Sequence, residues 1–160
     1  MFGFYIYNNI GIGFRTFASG ILFGVGAVFF LVFNGLSIGT VGGYLTQAGF
    51  SDTFYPFVAG HSSFELLAIV FCGAAGLKLG FALLSPGNWR RIDALKRASH
   101  DAVQIVYAAA VMLLIAAFIE AFWSSSTALP VPVKYVAGVS GWVLLLAYFF
   151  LAGRKARPWT

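Results

Sequence analysis

The stretch Gly60-His61-Ser62-Ser63-Phe64-Glu65-Leu66 leads into an apolar run that continues to Leu84. Residues 62–84 form a segment long enough to cross a bilayer, because about 20 apolar residues suffice for a hydrocarbon core of roughly 30 Å. Gly60 and the serines read as the start of a helix. His61 and Glu65 are four apart, so a helix places them on one face, within reach of a common proton, ion or polar partner. An ionisable side chain at membrane depth is expensive to keep, which makes this pair the first functional candidate. The rest of the span carries Ala68, Gly73, Ala74, Ala75, Gly76 and Gly80, small residues that let other helices approach closely and place it inside a bundle.

Composition extends that reading to the whole chain. Of 160 residues, 60% are hydrophobic and only 9% charged, which excludes an ordinary soluble domain. The net charge of +5 comes from basic residues between and after the apolar spans, as membrane topology requires, so it is no sign of nucleic acid. The single Cys72 lies within an apolar span and supports neither a disulfide framework nor a thiol metal site. Met1 to Asn9 lacks the basic region of a signal peptide, and no cleavage is expected.

Upstream, residues 10–33 read as a first crossing, with Asn8-Asn9 as its cap and Arg15 placed to reach the interface. Gly20 and Gly24 form a small-xxx-small pair for helix packing. Asn34-Gly35 is a turn signal in the middle of apolar sequence, and residues 36–45 are too short to cross alone. They are expected to form a short, broken or re-entrant helix, with Gly35, Gly39 and Gly43 as a bare face for a neighbour. Residues 47–56 are the polar connection to the second crossing.

Downstream, Ser85-Pro86-Gly87-Asn88 ends the second crossing, with Lys78 near its far end. A polar helix over 92–102 is expected to lie on the membrane surface, with Asp93, Arg97 and Asp101 pairing along one side and His100 exposed. Residues 103–123 and 135–152 supply the third and fourth crossings. The expected fold is thus one all-α membrane domain over 1–160: about four spanning helices, a short broken helix and an interfacial helix.

Charge gives orientation. Arg90, Arg91, Lys96 and Arg97 share one side with Arg154, Lys155 and Arg157, whereas Lys134 stands alone opposite. The positive-inside rule makes the first side cytoplasmic, and four crossings put both termini there. The same count brings His61, Glu65 and Glu120 to a similar depth near the outer surface. One imidazole and two carboxylates at one depth suit three chemistries. They can bind a divalent metal such as zinc, pass a proton, or hydrogen-bond helices together. No nucleophile with a base at usable spacing, no zinc-protease motif and no cofactor fingerprint is present.

Several motifs taken together carry a resemblance: Asn8-Asn9, Phe17-Ala18-Ser19-Gly20-Ile21, Asn34-Gly35-Leu36, Gly60-His61 with Glu65-Leu66, Gly73-Ala74-Ala75-Gly76-Leu77, Ser85-Pro86-Gly87, Ile119-Glu120-Ala121-Phe122 and Gly153-Arg154. In these the chain resembles the stage II sporulation protein M family. The resemblance implies a multi-spanning protein of the bacterial inner membrane. It also implies an anchor and organiser for partners that remodel the cell envelope, rather than a hydrolase. Many members of that family have a longer helical region before the Asn-Asn pair, so this chain is read as a minimal member or as the membrane part. The expected function is therefore a non-enzymatic scaffold, in contact with lipid, oligomerising through small-residue faces and holding envelope-remodelling partners. The alternative is a proton- or cation-coupled transporter or channel using His61, Glu65 and Glu120, its path lined by the broken segment at Asn34-Gly35. A metal-dependent intramembrane enzyme is a lesser alternative.

Overall fold

The computed structural model describes residues 1–152, and within them the chain is built from helices. In order these are α1 (Phe2–Ala18), a short 3-10 turn (Ser19–Ile21), α2 (Val25–Gln47), α3 (Ser51–Ala59), α4 (Ser62–Leu84), α5 (Arg91–Phe118) and α6 (Val131–Ala152). The end of α5 runs on as a π-helical turn, Ile119–Ser124. Four of the helical segments, α2, α4, α5 with its π turn, and α6, are long and apolar enough to cross a membrane. The all-α bundle expected from composition is present.

Helix α4 is the centre. Buried residues make up 44% of its apolar window, against 11% for α2 and 6% for α6, so the latter two are peripheral. The core between α4 and α5 is Ala68, Ile69, Cys72, Ala109, Met112 and Leu113. Helix α1 lies against both, and its buried face is Asn9, Gly13 and Thr16, continued by Gly20 in the turn beyond. The spacing of four, three and four residues is one helical stripe. That stripe is small and polar while Phe4, Tyr7 and Phe14 point outward, the reverse of a water-soluble helix. Where the surroundings are lipid, burying apolar side chains gains little, and close packing of small residues decides which face turns inward.

The first crossing is not the single helix expected over 10–33. The chain reverses at Phe23 (φ 53°) and Gly24 (φ 82°), so α1 and α2 form a hairpin. The left-handed backbone suits Gly24, which has no Cβ to clash. The reversal is packed against the far half of α4. A Cβ on Gly20 would collide with the backbone of Gly76, and one on Gly80 with the backbone of Gly24. Two Gly-xxx-Gly pairs, 20/24 and 76/80, therefore meet backbone to backbone. From there α2 returns along α4, with Ala27 beside Gly76 and Leu31 beside Gly73.

This hairpin corrects three further expectations. Asn8-Asn9 is no cap, because α1 begins at Phe2 and both residues lie inside it. Residues 36–45 are not a short broken helix but the second half of the continuous α2, and Asn34-Gly35 makes no turn there. The two ends of the described chain also lie at opposite ends of the bundle, not on one side. Phe2 packs on Phe118 and Phe122 where α5 finishes, whereas α6 starts there and runs parallel to α4, with Gly138 on Ala59 and Phe149 on Phe71.

Nor is 92–102 a separate surface helix, since it is the first part of α5. Asp93, Arg97 and Asp101 do not pair with one another. Asp101 accepts a hydrogen bond from Lys78 Nζ at 2.6 Å, Asp93 faces Arg90 at 3.6 Å, and Arg97 stacks on Trp89 at 4.6 Å. His100 is exposed, as its spacing implied.

Candidate functional site

At the end of the bundle opposite Lys78, three helices bring polar side chains into an apolar setting. His61 immediately precedes α4 and Glu65 lies one turn into it; the helical spacing leaves His61 Nε2 at 3.5 Å from Glu65 Oε2. Glu120 comes from the π turn that closes α5. A π turn inserts an extra residue and re-aims the side chains that follow, and such turns recur at functional sites. His61, Glu65 and Glu120 each offer one ligand atom, and these atoms all lie within 4.8 Å of one another. The three residues that share a depth in the sequence therefore share a site.

Neighbouring groups orient the three. His61 is 4% exposed, its ring edge-on to Phe57, and its Nδ1 is 3.1 Å from Ser124 Oγ. Ser124 belongs to the same π turn as Glu120, and its backbone carbonyl accepts a hydrogen bond from the buried Lys134 Nζ at 2.8 Å. The ammonium of Lys134 also donates to the carbonyl of Ser126, so it ties down the 124–126 backbone. From α1, the buried Asn9 donates its amide to Glu120 Oε2 at 3.4 Å. Gly60 allows the close fit, since a Cβ there would press on Trp123 and on Ser124 Oγ.

A cavity of about 310 Å³ opens beside the carboxylates. His61, Glu65 and Glu120 line it together with Asn8 and Ile12 of α1, Asn34, Ser37 and Ile38 of α2, and Phe57 of α3. The Asn34 amide nitrogen is buried there without a hydrogen-bond partner. Asn9 and Ser124 are site residues that reading the sequence left out, and Asn34 entered it only as part of a broken segment lining a transport path. The signal available was an asparagine inside apolar sequence, which in a membrane helix marks a polar contact rather than a cap or a turn.

The remaining candidates separate into groups. Gly20, Gly24, Gly73, Gly76 and Gly80 are packed within the bundle, whereas Gly35, Gly39 and Gly43 have nothing within 4 Å of where a Cβ would stand. Arg90, Arg91, Lys96 and Arg97 are exposed at the Lys78 end. Arg154, Lys155 and Arg157 lie outside the described residues.

The stage II sporulation protein M family model matches residues 1–125. The chain belongs to the stage II sporulation protein M family. The matched region contains α1 to α5, the π turn and the whole polar site, while α6 lies beyond it. Comparison with curated proteins and with solved structures gave no match.

Proposed function

We propose that this stage II sporulation protein M family member is a non-enzymatic anchor of the bacterial cytoplasmic membrane that holds envelope-remodelling proteins in place and associates with further copies of itself. The observation that carries the reading is the outward face of α2. Gly35, Gly39 and Gly43 recur every four residues with nothing against them among the described residues, beside the exposed Leu36 and Val32. A bare stripe of this kind is the surface on which a second transmembrane helix packs closely. The glycines of equal spacing inside the bundle are already used in that way. A transport path fits less well. Below the polar site, the space between α1, α4 and α5 is filled by Ala68, Cys72, Leu113 and the tightly packed Gly13.

The exposed basic residues Arg90, Arg91, Lys96 and Arg97 support a membrane orientation in which the Lys78 end faces the cytoplasm. The polar site then lies towards the outer surface, where cell-wall enzymes work.

The test is co-purification from native membranes in mild detergent, comparing wild type with Gly39→Leu. The anchor reading expects self-association and an enriched peptidoglycan-degrading enzyme with wild type, both reduced several-fold by Gly39→Leu while the variant stays folded. Equal recovery of both with the variant, or no envelope protein with either, contradicts it.

A further inference from the structure

We propose that His61, Glu65 and Glu120 bind one divalent transition-metal ion, zinc or a close analogue, which clamps the start of α4 to the end of α5. His61 Nδ1 is engaged by Ser124 Oγ, and when Nδ1–H donates there, Nε2 is left as a bare lone pair aimed at Glu65 Oε2, 3.5 Å away. Two electron-rich atoms facing each other in an apolar surrounding are held together by a proton or by a cation, and either would fit between them. Ser124 is placed as the outer hydrogen-bond partner of a metal-bound histidine is, holding the ring plane. Asn9 does the same for Glu120 through Oε2.

Charge points the same way. Two carboxylates sit together with one imidazole, and the nearest buried ammonium, Lys134, is spent on the carbonyls of Ser124 and Ser126. A dication offsets both carboxylates at once, and a mixed imidazole and carboxylate set suits zinc and its first-row neighbours better than calcium or magnesium. Geometry permits it. Ligand atoms about 2.0–2.2 Å from a tetrahedral zinc are roughly 3.5 Å apart, and the three groups lie within 4.8 Å before any rotamer adjusts.

Independent of the three ligands, Asn34 brings a buried amide nitrogen with no partner to the same cavity. Three protein ligands leave at least one coordination position open. A water held there by the ion lies within the space that Asn34 lines, and would accept the missing hydrogen bond from its amide. The ion is thus a structural clamp with a solvent-filled position.

The proposal stands apart from the anchor reading, which is tested by co-purification and needs no metal. Its own test uses the full chain, purified without a histidine tag, stripped of metal and reconstituted in lipid nanodiscs. Zinc is added, and the free ion is removed by size exclusion before elemental analysis. About one zinc per chain is expected for wild type and for His100→Ala, and at least a tenfold weaker retention for Glu120→Gln and His61→Ala. Cobalt(II) serves as a second probe that needs no variant. Wild type should develop the visible absorption of cobalt in low-symmetry N/O coordination, and zinc should abolish it. The proposal is overturned if wild type retains neither ion, or if Glu120→Gln and His61→Ala retain zinc as wild type does.

Discussion

The two ends of this bundle are closed by different means. At the Lys78 end, helices touch through their backbones at Gly20/Gly76 and Gly24/Gly80, and a cross-helix ion pair, Lys78 with Asp101, stands in the open. At the His61 end Gly138 also meets the backbone of Ala59, but around the polar site the contacts are made by side chains, and among the described residues no lysine or arginine pairs with Glu65 or Glu120. Backbone contact between glycines gives a rigid joint with no room for anything else. Side-chain contact around a cavity gives a joint that can accept an ion. The first end is built for packing and the second for binding.

The largest effect is expected from attacking the packed end. Gly80→Val places a branched side chain against the backbone of Gly24, which cannot step aside as a side chain would. Overpacking a tight contact typically costs about 1–3 kcal/mol and more where backbone must move, so this variant should fail to give a monodisperse species on size exclusion. Recovery of folded protein would mean that the hairpin does not lie on α4.

Next comes zinc at the binding end. At an ion concentration 100 times its dissociation constant, binding stabilises the folded state by about 2.7 kcal/mol. The thermal midpoint of wild type should rise on adding zinc, and that of Glu120→Gln should not move. A smaller loss is expected from Asn9→Leu, which leaves the half-buried Glu120 carboxylate without its amide donor, at a cost of about 1 kcal/mol, read as a lowered midpoint in metal-free protein.

The smallest effect belongs to the exposed pair. Lys78→Ala should leave the midpoint within experimental error, because exposed ion pairs are solvated and screened. A clear loss there would erase the contrast between the two ends.

These contrasts show which features were legible in the residues themselves. Charged groups are so rare in the apolar spans that His61, Glu65 and Glu120 stood out, and their common depth followed from helix lengths alone. The reversal at Leu22-Phe23-Gly24 was hidden, because a turn between two lipid-facing helices has no need of the polar residues that mark turns in water. Asn34-Gly35 misled for the same reason in reverse. In aqueous surroundings the pair signals a turn, but inside α2 the asparagine faces the polar cavity and the glycine faces outward. The change from polar to apolar near Ala102 was read as a helix end, although α5 runs straight through it. Composition there records where the surroundings change, which is not where the backbone hydrogen bonding stops.

Asn9 reaches Glu120 because α1 lies parallel to α4. A Cβ built on Gly13 lies 3.1 Å from Cys72 Sγ, with only the flexible Leu113 side chain otherwise in the way. The most direct measurement is therefore oxidative cross-linking of Gly13→Cys to the native Cys72 in intact membranes, read by mass spectrometry of the joined peptides. The hairpin predicts an intrachain disulfide that forms readily, disappears with Cys72→Ser, and is not formed by Gly35→Cys. Absence of the Gly13→Cys link in folded protein, or an equal link from Gly35→Cys, would contradict it.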